Sequence, residues 1–552
     1  MRKSKRSICG EKRHLGEIGM VLKQRRHRFM RLDASNMLVM PGGVDIHSHI
    51  AGSKTNLARV LRPEDHFRDF ERRTALTRSG VGHSVPSTYT TGYRYARMGY
   101  TTVIEPATPP LKARHTHDEL NDTPIIDKAC FPLFGNNWHV MEYLKNGDLE
   151  LCAAYLSWML RATKGYAIKI VNPGGVEAWH WGGNVVGLDS EVPHFGITPR
   201  EIVRGLCKVN KMLKLPHAIH VHPNNLGKPG NYFTALETMK CVEDLADEKK
   251  PAIHITHCQF SAFKGDDWTT LESGAEEIAR YVNSHSHVTM DMGQIIFTDT
   301  TTMTADGPFQ YDLYGLTGNK WVNHDVETET SAGIVPFHYR RKSYVHAVQW
   351  SIGLELALLI EDPWKIFMTT DHPNGGPFTA YPKIIAWLMS RKARDATLRR
   401  INQRSRSRSL LPSIDRELSF YEIAVMTRAG QAKALGLQNK GHLAVGADAD
   451  IAIYDVNLKT TDPSREYRTV RKAFKKAAYT IKDGKTVAKN GEIVKHADGA
   501  TMWLDVHVSE PAKITDDMKK RFREYWTVEY ENYSVGEDYL KVSRPIGVKA
   551  SV

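Results

Sequence analysis

Histidines at alternate positions are the first sign of chemistry in this chain. Four His-x-His pairs occur among its 25 histidines: His47 with His49, His115 with His117, His220 with His222, and His285 with His287. Residues i and i+2 of a strand point to one side. A pair at a strand end therefore brings two imidazoles to one place, which is half of a typical zinc site.

Position along the chain separates these pairs. His47 and His49 follow the apolar run MLVMPGGVDI, and the pair at 220 and 222 ends the run AIHVH. The pair at 115 and 117 lies in the charged stretch KARHTHDE, which predicts a solvated loop, and the pair at 285 and 287 precedes a strand. Because a barrel binds ligands at the other end of its strands, only the pairs at 47 and at 220 are metal-site candidates.

Another apolar run, AIHITH, carries His254 and His257 at odd spacing. A regular strand would direct at most one of the two inward. We choose His257 because it is nearer the end of the run. For the same reason we choose His222 over His220.

Lys169 stands inside the apolar run YAIKIV, where a cation is costly unless it is paired. One interpretation is a structural lysine in a salt bridge. The other is that burial lowers the lysine pKa, so that the neutral amine reacts with carbon dioxide and the carbamate bridges two metal ions. Asp371 ends the run IFMTTD and by itself is typical of a helix cap. Taken together, the candidates follow the order HxH, Lys, His, His and Asp, each at a successive strand end. This combined pattern is more specific than any one of its residues.

The elements that must position these groups alternate along about 340 residues. Apolar strand runs begin near 37, 100, 166, 218, 252, 288 and 366, and amphipathic helices are predicted between them, for example over 199–213, 233–247 and 275–284. This alternation predicts a parallel α/β fold, and the polar residues at the strand ends favour a (β/α)8 TIM-like barrel over residues 37–436.

Three other regions flank the predicted barrel. Residues 437–500 predict a small accessory β domain, with a hairpin formed by YTIKDG and TVAKNG. Residues 501–552 are a charged, aromatic C-terminal extension without a motif, and residues 1–36 form a basic segment without strand or helix period.

Composition excludes several classes of protein. The 552 residues are 41% hydrophobic and 25% charged, without an apolar run long enough to span a membrane or to act as a secretory signal. The six cysteines form no CxxC pair, which indicates free thiols in a reducing compartment.

The net charge of +13 is local. Residues 1–31 carry +9 and residues 391–408 carry +7, so the rest of the chain is near neutral at about −3. This distribution argues against a nucleic-acid groove. We expect a solvated tail and a surface loop, or else docking to an acidic partner or a polyanionic carrier tail.

The motifs resemble those of a known family. The order of candidate ligands and the tail GHLAVGADADIAIYD resemble the amidohydrolase superfamily. More closely, PGGVDIHSHIAGSKTNLARVLRPEDH, YAIKIVNPGG, HVHPNNLGKPGNY, ITHCQF and TTDHPNGGPF resemble the A subunits of formylmethanofuran dehydrogenases and of formyltransferase/hydrolase complexes. The resemblance covers roughly residues 36–490. Relatives carry a β-rich segment before the first strand, so either the start here is misassigned or that part of the β domain is eroded.

The resemblance implies two zinc ions held by six residues, which are His47, His49, carbamylated Lys169, His222, His257 and Asp371. It also implies that Asp371 acts as the catalytic proton acceptor in hydrolysis of a formylmethanofuran-like N-formyl amide to formate and amine, or in the reverse reaction. Expected partners are the other subunits of the complex and the methanofuran-type carrier, in the cytoplasm. No redox cofactor is expected in this chain, because it lacks clustered cysteines for iron–sulfur centres.

Weaker expectations and alternatives stay open. Asn224, Asn225 and Arg59 are weak candidates for substrate contacts. The same metals would serve a stand-alone cyclic amidase of the hydantoinase or dihydroorotase type. A non-catalytic scaffold protein would have lost its metal, and a nucleic-acid-binding protein is suggested only by the pI of about 9.2.

Overall fold

The computed structural model describes residues 31–246, 250–324, 326–329, 332–508 and 511–550. Residues 1–30 of the predicted basic segment lie outside the described residues. Within them no helix is long and apolar enough to cross a membrane. The five described cysteines are free and buried, and Cys9 is outside the described part.

The described chain alternates strands and helices. The strands are β1 (Leu38–Pro41), β2 (Gly43–Asp45), β3 (Tyr100–Thr108), β4 (Asp127–Pro132), β5 (Lys169–Val171), β6 (Ile219–His222), β7 (Ile253–Ile255), β8 (Phe263–Lys264), β9 (Glu272–Ser273), β10 (Val288–Asp291), β11 (Asp299–Thr304), β12 (Val322–His324), β13 (Ala332–His338), β14 (Ile366–Phe367), β15 (Ile451–Tyr454), β16 (Tyr479–Lys482), β17 (Lys485–Lys489), β18 (Glu492–Ile493), β19 (Thr501–His507) and β20 (Ser543–Lys549). The α-helices are α1 (Ser53–Leu61), α2 (Thr88–Arg97), α3 (Ala113–Asp122), α4 (Trp138–Lys145), α5 (Leu149–Ala162), α6 (Gly175–His180), α7 (Pro199–Met212), α8 (Tyr232–Lys240), α9 (Ala275–Ser284), α10 (Gly307–Thr317), α11 (Tyr344–Leu359), α12 (Tyr381–Met389), α13 (Arg391–Leu398), α14 (Phe420–Ala424), α15 (Gly430–Ala434), α16 (Tyr467–Lys475) and α17 (Pro511–Tyr525).

Eight parallel strands close into a barrel. One run of parallel pairs joins β2, β3 and β4, and a second joins β5, β6, β7, β10 and β14. Two parallel bridges connect these runs, between Leu133 and Lys169 and between Ser48 and His372. The predicted (β/α)8 barrel is confirmed, and the sequence patterns had missed its third strand, β4.

Local signals set the helices as expected. Helix α7 begins with Pro199 at its first turn and a capping box between Thr198 and Glu201, a typical start signal. Helix α9 has the predicted bounds Ala275–Ser284. Helix α8 ends at Lys240, earlier than predicted, and a short 3-10 turn follows it.

The small sheet takes a strand from the region assigned to the barrel. Its order is β1-β15-β16-β17-β18, all antiparallel, with the predicted hairpin as β16 and β17. The apolar run after residue 37 therefore serves two sheets: Leu38–Pro41 pairs with β15, and the barrel begins only at Gly43.

The C-terminal extension is built into the barrel wall. Strand β19 runs parallel to β20 and touches β4 where Thr501 pairs with Lys128. Two strands therefore meet β4 at different points along its length. Strand β19 pairs with Lys128 near its start, and Leu133, just after its end, pairs with Lys169 of β5.

The basic segment 391–408 is not a loop. It begins as helix α13, capped by Ser390, and continues as a 3-10 turn. Arg394 is buried and donates to the carbonyl oxygens of Trp387, Ile414 and Arg416. These carbonyls stabilise a buried guanidinium that the charge pattern alone would place in solvent.

A buried ion network joins the barrel to the small sheet. Asp127, at the start of β4, lies 2.6 Å from the ammonium of Lys440 and 3.1 Å from that of Lys482. Asp450 contacts both ammonium groups, at 2.8 and 3.2 Å. Despite burial, the two lysines hold the pKa of Asp127 far below its usual range.

Removing one member of this network should be costly. We expect Asp127→Ala to lower the free energy of unfolding by about 3 kcal/mol, because each buried ammonium group loses a close carboxylate partner and keeps only Asp450 together with Asp448 or Asp483. Asp415→Ala, which breaks an exposed pair with Arg391, should cost less than about 0.5 kcal/mol. Denaturant unfolding measures both; equal effects would contradict the prediction.

Candidate metal centre

A cavity of about 1250 Å³ opens at the end of the barrel where the strands terminate. Its floor contains all six predicted ligands: His47, His49, Lys169, His222, His257 and Asp371. Its outer wall comes from an insertion between β10 and β14 that holds β11, β13 and α10 and contributes Thr302, Phe309, Tyr311 and Phe337. The carboxyl ends of parallel strands thus gather residues spread over more than 300 positions.

Asp371 lies at the centre of the floor. Its Oδ1 atom is 3.0 Å from Nε2 of His47 and 3.2 Å from Nε2 of His49, and its Oδ2 atom is 4.0 Å from Nε2 of His257. Asp371 and His257 both have positive φ, 48° and 34°. Such backbone strain in non-glycine residues is typical of functional sites.

The side chains of Lys169 and His257 both contact the hydroxyl group of Thr256. The Lys169 Nζ atom lies 3.4 Å from the Thr256 hydroxyl, which is 2.9 Å from Nε2 of His257. Only 2% of Lys169 is exposed, and burial lowers the pKa of its amine to about 7. The lysine is not in a salt bridge with any described residue, so the ion pair that the structural interpretation assumes is not found among them.

His222 stands beside this group. Its ring centroid is 4.8 Å from that of His257, and its Nε2 atom lies 3.1 Å from the Asp306 carboxylate. Asp306 also accepts a hydrogen bond from Asn172. Asp306 comes from the insertion, where no strand-end signal pointed to it.

The donor geometry tests whether these residues fit metal ions. Nitrogen and oxygen ligands about 2.1 Å from a tetrahedral zinc lie about 3.4 Å from each other. The 3.0–4.0 Å separations around Asp371 bracket that value, and one donor atom each from His47, His257 and Asp371 lie within 4.8 Å of one another. Nε2 of His47, Nδ1 of His257 and Oδ1 of Asp371 are also buried without a hydrogen bond. Buried polar atoms of this kind require a partner, and a cation fits.

Sequence reasoning missed two carboxylates behind the histidines. Glu105 lies 3.1 Å from Nδ1 of His49 and 2.7 Å from the ammonium of Lys54, which with His49 holds the pKa of Glu105 at about 2 against burial. Asp291 lies 3.5 Å from Nδ1 of His47. Both stand inside predicted strands, so the argument applied to Lys169, a charge in an apolar run, could have found them.

Several histidine predictions need correction or refinement. His117 is not in a solvated loop: it is buried in helix α3, and its ring lies 2.8 Å from the Thr163 carbonyl oxygen. His254 and His257 both point inward, because β7 ends at Ile255 and the backbone of His257 turns left-handed. His285 and His287 precede β10 and do not line the cavity.

The three weak substrate-contact candidates lie outside the cavity lining. Asn224 donates to Asn172 and to the Pro173 carbonyl, and Asn225 donates to the Val186 carbonyl. Arg59 pairs with Glu119. Each side chain thus has protein partners outside the cavity, while Oδ1 of Asn224 and Nη2 of Arg59 are buried without a hydrogen bond.

Asn374 orients the central carboxylate. Its amide donates to Oδ2 of Asp371 at 2.9 Å, while its oxygen accepts from the Met303 backbone at 2.6 Å. We expect Asn374→Ala to lower kcat about 10-fold with little change in metal content, because the carboxylate can then rotate. Asn137→Ala, which removes a buried helix cap elsewhere, controls for general destabilisation. Steady-state kinetics with metal analysis decides; an unchanged kcat, or the same loss in both variants, would contradict this role.

Comparison with known proteins extends these observations. A profile described as the amidohydrolase family matches residues 32–488. The chain is 54% identical to Protein FwdA of Methanocaldococcus jannaschii over 529 residues, covering 94% of this chain and 92% of that protein. It is 37% identical to the Fhc A subunit of the formyltransferase/hydrolase complex of Methylorubrum extorquens, covering 90% and 86%.

A solved structure agrees with these relatives. The crystal structure of the formyltransferase/hydrolase complex FhcABCD from Methylorubrum extorquens, in complex with methylofuran, contains a similar chain. The TM-score is 0.85 at 33% identity, covering 95% of this chain and 94% of that one.

Proposed function

The chain belongs to the amidohydrolase family, and from that premise we propose that it is the A subunit of a formylmethanofuran dehydrogenase or a formyltransferase/hydrolase complex. In this role it hydrolyses an N-formyl amide of a methanofuran-type carrier with one water molecule, giving formate and the free amine. The reverse condensation is chemically allowed. The other subunits of the complex are its expected partners.

One observation carries this proposal: three imidazoles surround the Asp371 carboxylate at the floor of a cavity built from strand ends. The relatives support the choice of substrate, since they match the chain over nearly its whole length and one of them is seen with methylofuran. The cavity of about 1250 Å³ is far larger than a formamide group, which suits a formyl group carried on a long molecule.

Two zinc ions held by His47, His49, Lys169, His222, His257 and Asp371 would supply a Lewis acid for the formyl oxygen and would lower the pKa of a water molecule. Asp371 accepts a proton from the attacking water and delivers it to the nitrogen of the leaving amine as the carbon–nitrogen bond breaks. Asn374 donates to the carboxylate and holds it in position for both transfers.

Lys169 contributes a negative charge to this site. Its buried amine adds to carbon dioxide with loss of one proton and so becomes a carbamate, whose two oxygens can serve two cations. The low polarity that disfavours the ammonium form keeps the reactive amine available. The carbamate would supply an anionic ligand to the proposed set.

Oxidation and reduction, where the complex performs them, belong to a different polypeptide. The cysteines of this chain are scattered at positions 9, 130, 152, 207, 241 and 258, without the spacing that iron–sulfur clusters need.

The proposal is tested on the purified full-length chain. We expect elemental analysis to find about two zinc ions per chain, and we expect the chain to release formate from an N-formyl furfurylamine. A chelator should remove both the zinc and the activity, and added zinc should restore them. A wild-type chain that is active without metal would overturn the mechanism. Activity on cyclic amides in place of formamides would favour the cyclic-amidase alternative, and a metal-free inactive chain would favour a scaffold role.

Proteins that co-purify with the chain identify its complex. A pterin-bearing partner indicates a dehydrogenase, and a formyltransferase partner without pterin indicates the hydrolytic complex. Recovery of neither, in the native host, would contradict the proposed membership of such a complex.

A further inference from the structure

Three histidines inside the barrel form a hydrogen-bonded row behind the candidate metal centre. We propose that His220 and His217 are positioning residues that hold His47 in a single tautomer, with the proton on Nδ1 and the lone pair of Nε2 facing the metal. The inference rests on the proposed function only in assuming that His47 is a ligand.

The row is continuous from the cavity floor to the opposite end of the barrel. Nδ1 of His47 lies 3.0 Å from Nε2 of His220, and Nδ1 of His220 lies 3.0 Å from Nε2 of His217. Nδ1 of His217 then lies 2.6 Å from the carbonyl oxygen of Ala434. All three rings are at most 1% exposed, so water does not compete for these bonds.

The carbonyl at the end sets the direction of every bond in the row. A carbonyl oxygen only accepts, so Nδ1 of His217 must carry its proton. In a neutral imidazole the other nitrogen is then an acceptor, so Nε2 of His217 receives a proton from Nδ1 of His220. By the same rule Nε2 of His220 accepts from Nδ1 of His47, which leaves Nε2 of His47 as the nitrogen that can bind a metal.

The opposite direction would require a buried cation. If His220 donated to His47, either His220 or His217 would have to donate from both nitrogens and carry a positive charge. Burial lowers the pKa of His217 to about 3, with the charge of His254 acting in the same sense. The neutral row is therefore the one that forms.

Asp291 reinforces the same tautomer. Its carboxylate is an acceptor 3.5 Å from Nδ1 of His47, and it also accepts from the His257 backbone N–H at 3.0 Å and from the Thr369 hydroxyl at 2.5 Å. An ionised carboxylate has no proton to donate. Two independent acceptors thus face Nδ1 of His47.

The row fixes a tautomer and does not conduct protons. A relay must pass a proton out at each end, and a peptide carbonyl cannot do so. The row also removes His220 as a competitor for the metal, because both of its ring nitrogens are used within it. The ring nitrogens of His254 are used outside the row, by Thr289 and Asp291.

Zinc titration of the chelator-treated full-length chain tests the proposal. His217→Leu keeps an apolar side chain at the site but removes the acceptor for His220, whereas His217→Gln can both accept from His220 and donate to Ala434. We expect the leucine variant to bind zinc about 10- to 100-fold more weakly and the glutamine variant to recover most of that loss. His117→Leu removes another buried, carbonyl-bonded histidine and should leave affinity unchanged.

A spectroscopic readout separates tautomer from packing. In the ¹⁵N-histidine NMR spectrum of the zinc-loaded chain, the signals lost in His47→Gln should include those of an imidazole that is protonated at Nδ1 and bound through Nε2, and His217→Leu should broaden the Nδ1–H signal. An Nε2–H imidazole at His47, or equal zinc affinity in the leucine and glutamine variants, would overturn the inference. The wild-type spectrum decides even if the leucine variant does not fold. A wild-type chain that binds no zinc would instead overturn the proposed function.

Discussion

Replacing His47 and His49 together by alanine is expected to reduce bound zinc from about two ions per chain to one or none, and formamide hydrolysis by at least ~10³-fold. Both imidazoles present Nε2 to the same oxygen of Asp371, at 3.0 and 3.2 Å. Their loss removes two neutral metal-binding nitrogens from beside the buried Asp371 carboxylate.

The chain supplies a matched control for this substitution. His285 and His287 form a second His-x-His pair, at the opposite end of the barrel, where Nε2 of His287 lies 3.1 Å from the Met239 carbonyl oxygen. Replacing both by alanine should leave zinc content and turnover near wild type. Elemental analysis and a formate assay give the answer. Full zinc content in the His47/His49 variant would remove these residues from the ligand set.

Lys169→Ala should have an effect of similar size. The variant removes the proposed carbamate, the one anionic ligand proposed to reach both metals, so we expect loss of zinc and at least ~10³-fold lower turnover. A short carboxylic acid such as acetate or propionate, added with zinc, should restore part of both, because it can occupy the space of the missing side chain. Rescue of this kind depends on the carboxylate charge and does not follow from a packing role.

Lys128 offers the comparison for a buried lysine without a metal role. It is 2% exposed, burial lowers its pKa to about 8, and it donates to the carbonyl oxygens of Thr123 and Gly499. Lys128→Ala should reduce stability but keep zinc, with no response to added carboxylate. An experimental structure at neutral pH in bicarbonate that shows Lys169 as a plain ammonium, away from metal, would contradict the carbamate.

The barrel and the order of candidate ligands were predictable from the sequence because both depend on local regularity. Apolar runs that alternate with amphipathic helices leave few folds other than a parallel barrel. In that fold every strand end faces the same rim, so polar residues at 47, 49, 169, 222, 257 and 371 must be neighbours. The order of strands along the chain is therefore enough to bring together residues more than 300 positions apart.

The strand Asp127–Pro132 could not be recognised in this way. It begins with Asp127 and Lys128, charges that argue against a buried strand. Their partners come from the distant end of the chain: Lys440 and Lys482 for the aspartate, and the Gly499 carbonyl for the lysine. Burial of these charges is favourable only once the small sheet has packed against the barrel.

Sequence by itself determined which residue types stand at the strand ends, since the direction of a side chain follows from its position in a regular element. Only the tertiary structure decided where the regular strands and helices end. It placed His254 and His257 on the same side because β7 ends after Ile255, and it buried His117 by supplying the Thr163 carbonyl. It also placed Asn224, Asn225 and Arg59 outside the cavity lining, where each bonds to residues distant in the chain, and spacing carries no information about such partners.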